Sequence, residues 1–353
     1  MILSSNYILI KIITIIISFG CFFAFGQKRV RDSTAIESFK DKFIVKINLD
    51  SKTDSYTADG FGGGPDINLD SNYGSSLFLS LEFQIIGLSL GFSPSFLPGN
   101  SDEELKGESS FIDIKPRLAF QKWLIELRYS RITGYYVENT EDFIPDWEEN
   151  VDPYILIPDL SNTMYGITIS HIFNPNFSYK NLFYQTERQR KSAGSFVPTF
   201  QFSYNKFTFD LEDIPDDIKF RGDSSDLSLG IGYYYTWVIG DKWFVAPNVS
   251  PSAGVSFSKS TITLDGTTTD EDITFFKTVL ESGLQLGYAS ERVIFGIAFN
   301  YDIYGYEGEE GRFINNDKTY GLLYFGYRFN SPRFIARSYD KFSKTKFAKK
   351  MKL

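Results

Sequence analysis

A two-residue hydrophobic rhythm recurs along most of this chain. In residues 77–84, leucine or phenylalanine stands at every odd position, whereas Ser80, Glu82 and Gln84 stand at three of the even ones. Successive side chains of a β-strand point to opposite faces, so this spacing predicts a strand with one apolar and one polar face. Because the same pattern returns again and again, we predict an all-β chain.

The first 26 residues have a different character. They carry one charge, Lys11, before a mostly apolar run over 12–25, and Ala24-Phe25-Gly26 fits a small-x-small cleavage site. This pattern predicts a secretory signal peptide over 1–26, with an uncleaved membrane anchor as the alternative. Cys21 is the only cysteine, so we expect a mature chain without disulfides or thiol chemistry.

Twelve segments after the leader show the alternation. They are 43–49, 75–84, 86–93, 110–120, 123–135, 162–173, 195–206, 227–238, 243–257, 273–288, 293–303 and 318–329. Most are close to the 9–11 residues that a tilted strand needs to cross a bilayer, and single-chain bacterial barrels have even strand numbers. Aromatic residues make up 17% of the chain, which suits the girdles of such a barrel. We therefore predict a transmembrane antiparallel up-and-down β-barrel of about 12 strands over 43–329.

The connections between these segments alternate in length. Tight turns fall near Ile85 and at 121–122, 240–242 and 290–292, and long connections fall at 50–74, 94–109, 136–161, 207–226, 258–272 and 304–317. Placing both termini in the periplasm puts every tight turn there and every long loop outside, as in outer-membrane barrels. This predicts a periplasmic segment over 27–42 and a basic periplasmic tail over 330–353. A soluble secreted β-protein is the alternative, because its strands would alternate as well.

The polar face of the predicted strands carries charges of both signs. Inside a barrel such charges either pair across strands or line a wet path and set its selectivity. The candidate lumen charges are Glu82, Asp113, Lys115, Arg117, Glu126, Arg128, Lys277 and Glu281. We expect a small solute in the lumen as one partner and outer-membrane lipid as another.

Two of the predicted external loops are acidic. Residues 137–160 contain eight Asp or Glu and no basic residue, and residues 207–225 are also mainly acidic. Such loops could hold divalent cations through carboxylate oxygens, and solvated surface charge is the alternative. The formal net charge of −8 argues against nucleic acid as a partner.

The connection over 174–194 breaks the rhythm. Tyr179, Leu182, Phe183 and Thr186 follow helical spacing, so we predict a short amphipathic helix that ends near Gly194. We expect this segment to lie at the periplasmic mouth as a plug or docking patch, with a charged connector as the alternative. The candidate plug or mouth residues are Gln185, Glu187, Arg188, Gln189, Lys191 and Ser192.

The same segment carries a family resemblance. Residues 177–195 read FSYKNLFYQTERQRKSAGS, and the last predicted strand ends in Gly326-Tyr327-Arg328-Phe329. These phrases resemble a family of Bacteroidetes outer-membrane β-barrel proteins defined as a domain of unknown function, over roughly residues 40–330. The resemblance implies a barrel at the cell envelope and supplies no catalytic residues.

The sequence favours a non-enzymatic function. Outer-membrane hydrolases that use a nucleophile or water need a histidine, and His171 is the only one here. It falls on the predicted outward face near the periplasmic end, so we expect a structural role. We predict a small-solute channel, a binding barrel or an envelope scaffold, without cofactor, catalytic residue or metal. A lipid- or envelope-modifying hydrolase is the alternative.

Overall fold

The computed structural model describes residues 32–51, 55–58, 65–120, 122–211, 218–264, 267–307, 313–315 and 317–332, together with 339, 341, 344 and 345. The predicted signal peptide and most of the predicted basic tail lie outside these residues.

Seventeen strands occur in the described part of the chain. They are β1 (Ile36–Ser38), β2 (Lys42–Asp50), β3 (Tyr56–Ala58), β4 (Ile67–Asp70), β5 (Ser76–Phe83), β6 (Ile86–Phe92), β7 (Ser110–Phe120), β8 (Trp123–Val137), β9 (Ile155–His171), β10 (Glu187–Gln189), β11 (Ala193–Leu211), β12 (Ile218–Ile239), β13 (Trp243–Leu264), β14 (Thr267–Ala289), β15 (Val293–Glu307), β16 (Phe313–Asn315) and β17 (Lys318–Asn330). Two short helices, α1 (Glu103–Lys106) and α2 (Tyr179–Phe183), and a 3₁₀ turn at Thr140–Asp142 complete the set.

Twelve of these strands form a closed antiparallel ring. Around the ring the order is β8, β7, β6, β5, β2, β17, β15, β14, β13, β12, β11 and β9, and β9 pairs back onto β8. The ring has no free sheet edge, which is the condition for β-structure inside a bilayer. The predicted 12-strand barrel is therefore confirmed, and all twelve predicted segments lie on its strands.

The two faces of the barrel wall differ as the alternation requires. Large apolar side chains cover the outside, among them Phe299, Phe325 and Trp237, each more than half exposed. Polar side chains such as Ser80, Asp113 and Thr236 point inward and are buried. A soluble barrel would reverse this arrangement, so the apolar outer surface identifies the barrel as transmembrane. No helix within the described residues is long and apolar enough to span a membrane.

The barrel has a turn end, where the tight connections lie, and a loop end, where the long connections lie. Strands β11 to β14 contain 19, 22, 22 and 23 residues and extend toward the loop end well past the length needed to cross a bilayer. The predictions of long loops at 207–226 and 258–272 were therefore wrong. The extensions of β13 and β14 are mainly polar on both faces. In β11 the apolar positions change from even numbers up to Tyr204 to odd numbers from Phe207, so the rhythm is interrupted there.

Two small groups of strands are added to the ring. At the loop end, β4 pairs with the end of β8, β3 pairs with β4, and β16 pairs with β3. At the turn end, β1 pairs with β10 as a separate two-stranded sheet. Both groups narrow the lumen, one from each end.

Residues 174–194, called the plug below, enter the turn end of the lumen. Its helix α2 has five residues, and Ser178 caps the helix by accepting a hydrogen bond from the Asn181 amide at 3.1 Å. The helix prediction was too long: Thr186 follows α2, and Gly194 belongs to β11 and does not end a helix. Strand β10 replaces the predicted continuation because its backbone pairs with β1.

Candidate functional site

The lumen contains a cavity of about 420 Å³. It lies between the plug and the loop-end strands, and polar side chains of opposite strands line it. The lining includes Lys46, Asn48, Ser89, Lys115, Arg117, Glu126, Arg128, Asn248, Glu281, Gln285, Asn300, Asp302 and Tyr324, with Leu182, Phe183 and Gln185 of the plug. This volume falls within the range of small-molecule sites.

One side of the cavity carries a surplus of cations around a shared carboxylate. Asp113 is fully buried and forms ion pairs with Lys115 at 3.1 Å and with Arg128 at 2.8 Å. Beside them, Arg117 pairs with buried Glu82 at 2.7 Å, and Arg117 is the cross-strand neighbour of Glu126. Counting Lys46 and Arg117 with these two cations, and Glu82 and Glu126 with Asp113, this wall holds four cations and three carboxylates.

The other side of the cavity is acidic. Glu281 on β14 and Asp302 on β15 are cross-strand neighbours and both line the cavity. In the ring, β14 is six strands from β7, and β15 is six strands from β8, so these carboxylates lie opposite Lys115 and Arg128. Lys277 forms an ion pair with Asp226 at 2.7 Å. Unlike charges therefore face each other across the lumen.

Tyr56 of β3 closes much of the loop end. Its hydroxyl accepts a hydrogen bond from the Asn162 amide at 2.8 Å, and its ring packs against Phe207 at 5.0 Å. The Lys318 ammonium lies 5.9 Å from the same ring. Because Asn162 is on β9 and Lys318 is on β17, six strands away in the ring, Tyr56 reaches both sides of the mouth. An apolar cluster surrounds it, and its members include Leu69, Tyr73, Phe78, Phe111, Ile132, Tyr135, Leu160 and Phe220.

Charged side chains of the barrel wall hold the plug at the turn end. The Lys46 ammonium donates to the Gln185 side chain at 2.7 Å and to the Phe183 carbonyl at 2.9 Å. The guanidinium of Arg328 is fully buried and donates to the Gln185 carbonyl at 2.7 Å and to the Ser290 carbonyl. The plug also packs apolar side chains against the wall. These contacts close the turn end of the lumen.

The plug's own polar residues fix its shape. The Gln189 side chain accepts a hydrogen bond from the Ser178 amide at 2.7 Å and donates to the Asn176 carbonyl at 2.7 Å. Glu187 accepts from the Ser178 hydroxyl at 2.6 Å, and Arg188 donates to the Ala289 carbonyl at 3.1 Å. The plug is therefore a folded element with its own hydrogen bonds.

The structure brings most of the sequence-predicted residues to these two places. Glu82, Asp113, Lys115, Arg117, Glu126, Arg128, Lys277 and Glu281 point into the lumen, and Gln185, Glu187, Arg188 and Gln189 form the inner part of the plug. Lys191 and Ser192 are exposed at the turn end, where Ser192 accepts a hydrogen bond from the Val238 amide at 3.0 Å.

Sequence reasoning missed the residues that attach the plug to the wall. Lys46, Arg328, Glu37 and Phe39 were not among the candidates. Lys46 and Arg328 lie on the polar faces of predicted strands, so a complete list of charges on those faces would have included them. Glu37 and Phe39 lie in the predicted segment 27–42, and no sequence signal connects them with residue 188.

His171 lies outside the lumen. It is on the outward face of β9 at the turn end, with its ring centroid 4.5 Å from that of Trp123 and 5.3 Å from that of Phe173. Its contacts are aromatic, as expected for a side chain in the interfacial belt of a transmembrane barrel. Among the described residues, no group of three or more His, Cys, Asp or Glu side chains could hold a metal ion.

One carboxyl group at the loop end has a shifted proton affinity. Burial raises the pKa of Asp70 to about 6, and the negative charge of Glu138 acts in the same direction. The Ser71 amide donates a hydrogen bond of 2.8 Å to the Asp70 carboxylate, which opposes the rise in pKa. The Tyr136 hydroxyl lies 3.4 Å from the same carboxylate. Asp70 pairs with Tyr136 across β4 and β8, so its charge state bears on the junction between the loop-end strands and the ring.

Several solved structures are similar to this chain in fold. The COG4313 outer membrane channel from Pseudomonas putida F1 is 12% identical with a TM-score of 0.35, covering 85% of this chain and all of the other. The outer membrane protease OmpT from Escherichia coli is 10% identical with a TM-score of 0.34, covering 83% of this chain and 98% of the other. The deltaS2 mutant of the TodX monoaromatic hydrocarbon channel is 8% identical with a TM-score of 0.34, covering 83% and 91%. At these values the likenesses carry no argument about activity.

Comparison with families and curated proteins gives one result at the level of sequence. None of the curated proteins matches the chain. The model of one family, described as a domain of unknown function (DUF4421), matches residues 30–329, which include the plug and the ring up to the penultimate residue of β17. The chain belongs to the DUF4421 family.

Proposed function

We propose that this protein is an outer-membrane barrel that binds a small polar solute in its lumen and conducts it when the plug is displaced. The single observation that carries the proposal is the lumen cavity of about 420 Å³, with charged side chains in its walls and a folded plug beneath it. A barrel that served only as a scaffold would gain stability by filling this volume with side chains. The predicted signal peptide and the apolar outer surface support the location.

The charges in the cavity support a solute with polar or charged groups at both ends. Lys115 and Arg128 lie on one side, and Glu281 and Asp302 lie on the other. A solute carrying both an anionic and a cationic group would satisfy both walls at once, because each end meets unlike charge in a partly dehydrated space.

A non-catalytic role fits the same cavity better than hydrolysis. His171 packs among aromatic rings on the outer face, away from the cavity. The lumen carboxylates Asp113 and Glu82 form ion pairs with lysine or arginine. This arrangement supports binding and passage of charge, and we assign the cavity no chemical step.

The proposal is tested by removing the plug. Strands β9 and β11 are hydrogen-bonded neighbours, with Ser170 paired to Thr199, so the plug is an insertion in a hairpin. Replacing residues 175–192 by a short glycine-containing turn should leave the ring intact. We expect wild-type protein in planar bilayers to conduct rarely and the plug-less variant to conduct steadily. A plug-less variant that folds, by heat-modifiable gel migration, and stays silent would contradict the proposal.

The charged walls are tested in the plug-less background. Arg128→Ala should shift the reversal potential in a KCl gradient toward cation selectivity, because it removes positive charge from the lumen. Arg131→Ala is the matched control, since Arg131 lies on the same strand with its side chain exposed on the opposite face. Equal reversal potentials for the two variants would argue that the charged wall of the lumen does not determine the ion selectivity.

A further inference from the structure

The N-terminal segment beside the plug forms a third layer at the turn end. Residues 35–39, called the strap below, run antiparallel to β10, with Ile36, Glu37 and Ser38 opposite Gln189, Arg188 and Glu187. Backbone hydrogen bonds flank the pairing: the Arg190 amide donates to the Ala35 carbonyl at 2.8 Å, and the Phe39 amide donates to the Thr186 carbonyl at 3.0 Å. The strap is thus bonded along the length of the plug strand.

Two side chains of the strap attach it to arginines. The Glu37 carboxylate accepts a hydrogen bond from Arg188 at 2.9 Å. Phe39 is 4% exposed, and its ring lies 4.0 Å from the Arg328 guanidinium and 5.9 Å from that of Arg188. Cation–π contacts between desolvated partners are among the stronger ones of their kind.

The two arginines are the ones that fasten the plug to the barrel wall. Arg188 belongs to the plug and donates to the Ala289 carbonyl at the end of β14. Arg328 belongs to the wall and donates to the Gln185 carbonyl of the plug. The strap covers both guanidinium groups, and it excludes water from the two contacts on which the plug depends.

We propose that the strap is a lock that sets how often the plug leaves the lumen. Releasing the strap exposes both arginines to water, which weakens their hydrogen bonds to the plug and to the wall. The chain just before the strap is accessible, because Ser33 and Thr34 are exposed. The lock can therefore be released from the turn end without entering the barrel. This inference rests on the proposed function, because it assumes that the barrel conducts when the plug is displaced.

The test weakens the strap at two separate points. Phe39→Ala removes the ring on Arg328, and Glu37→Ala removes the partner of Arg188. We expect each to raise the fraction of time spent conducting by about tenfold or more, the factor that corresponds to 1.4 kcal/mol. Asp41→Ala is the control, since it removes a carboxylate just beyond the strap whose ion-pair partner is Lys42. It should conduct as rarely as wild type.

A disulfide tests the opposite direction. Ser38 and Glu187 are cross-strand partners, so Ser38→Cys with Glu187→Cys can link the strap to the plug. In the oxidised state we expect fewer openings than in wild type, and reduction should restore or exceed the wild-type frequency. An unchanged opening frequency in both redox states would count against the lock.

A labelling readout separates failure of the lock from failure of the proposed function. Thr186 is buried, and its hydroxyl has no hydrogen-bond partner, so Thr186→Cys is a mild probe of plug displacement. A membrane-impermeant maleimide should react about tenfold faster in the Phe39→Ala background. Unchanged labelling and conductance in both strap variants would overturn the lock, even if the plug-less barrel conducts. If the plug-less barrel does not conduct but Thr186→Cys is labelled faster in the strap variants, the lock is supported and the proposed conduction is contradicted.

Discussion

The two ends of the barrel are narrowed by different kinds of contact. At the loop end, Tyr56 and its neighbours narrow the mouth mainly by packing rings against one another. At the turn end, the wall also packs apolar side chains on the plug, and two buried cations, Lys46 and Arg328, donate hydrogen bonds to it. Ring packing is spread over many atoms, whereas a few directional bonds can be lost together.

This difference indicates which end can move. The loop-end cluster includes residues of β8, β9, β11 and β12, so displacing it disturbs the ring itself. Residues 174–192 of the plug connect β9 to β11, so displacing them leaves every strand pairing of the ring in place. We therefore expect substitutions at the turn end to change access to the lumen and substitutions at the loop end to change stability.

The largest effect is expected from Arg328→Ala. It removes a fully buried guanidinium and leaves the carbonyls of Gln185 and Ser290 without that donor, at a cost of about 4 kcal/mol in the attachment of the plug. Maleimide labelling of Thr186→Cys and planar-bilayer conductance should both rise. Arg292→Ala is the matched control, because Arg292 is an exposed arginine in the adjacent turn. If the two variants behave alike, the plug does not depend on Arg328.

Tyr56→Ala should have a smaller effect, and it should lower the stability of the barrel and not change access to the lumen. Loss of this buried ring should cost about 3 kcal/mol of barrel stability, read as a lower urea midpoint of tryptophan fluorescence in detergent micelles. Conductance through the turn end should stay rare. Tyr56→Phe, which removes only the hydroxyl bonded to Asn162, should cost about 1 kcal/mol. Frequent openings in Tyr56→Ala would erase the distinction between the two ends.

The smallest effect concerns pH at the loop end. The pKa of Asp70 is about 6 in the folded protein, above its ordinary value near 4, so the folded state holds a proton that the unfolded state has lost between these pH values. The stabilisation of the folded state by this proton is complete below about pH 4 and is lost as pH rises through 6. It amounts to about 2 kcal/mol, a value reduced because Asp70 keeps partial contact with solvent.

Trp147 provides the readout for this pH dependence. Its ring lies 4.8 Å from Tyr154, which lies 4.9 Å from Tyr136, the neighbour of Asp70. Resistance of the loop end to protease, and the fluorescence of Trp147, should decline as pH rises from 4 to 7. Asp70→Asn should flatten both profiles. A slope that survives in Asp70→Asn would assign the dependence to another group.

The strands and faces of the barrel could be predicted from sequence because they depend on local spacing. The alternation at 77–84 and its repeats required no knowledge of what each strand pairs with. Charges on the polar faces, such as Asp113 and Arg128, followed from the same spacing. The ends of β13 and β14 were missed where both faces become polar, since nothing in the pattern then separates a strand from a loop. The end of β11 was missed because its apolar positions change face after Tyr204.

The attachment of the plug could not be predicted because its contacts join distant parts of the chain. Lys46 and Gln185 are 139 residues apart, and Arg328 and Gln185 are 143 apart. Spacing within 174–194 predicted a helix that ends near Gly194, whereas the helix ends at Phe183 and residues 187–189 pair with the strap. The strap lies about 150 residues earlier in the chain. The strap and the plug meet only after the barrel closes, so the hydrophobic spacing of neither segment indicates the contact between them.

The position of Arg328 on the last strand has a consequence for assembly. The strap is made first, the plug in the middle and β17 at the end, so the contact that binds all three cannot form until the ring has received its final strand. A barrel that is still incomplete therefore has no means of fastening its plug. Seating of the plug becomes a marker of finished folding, and an envelope protease that reaches 174–194 would distinguish immature barrels from mature ones.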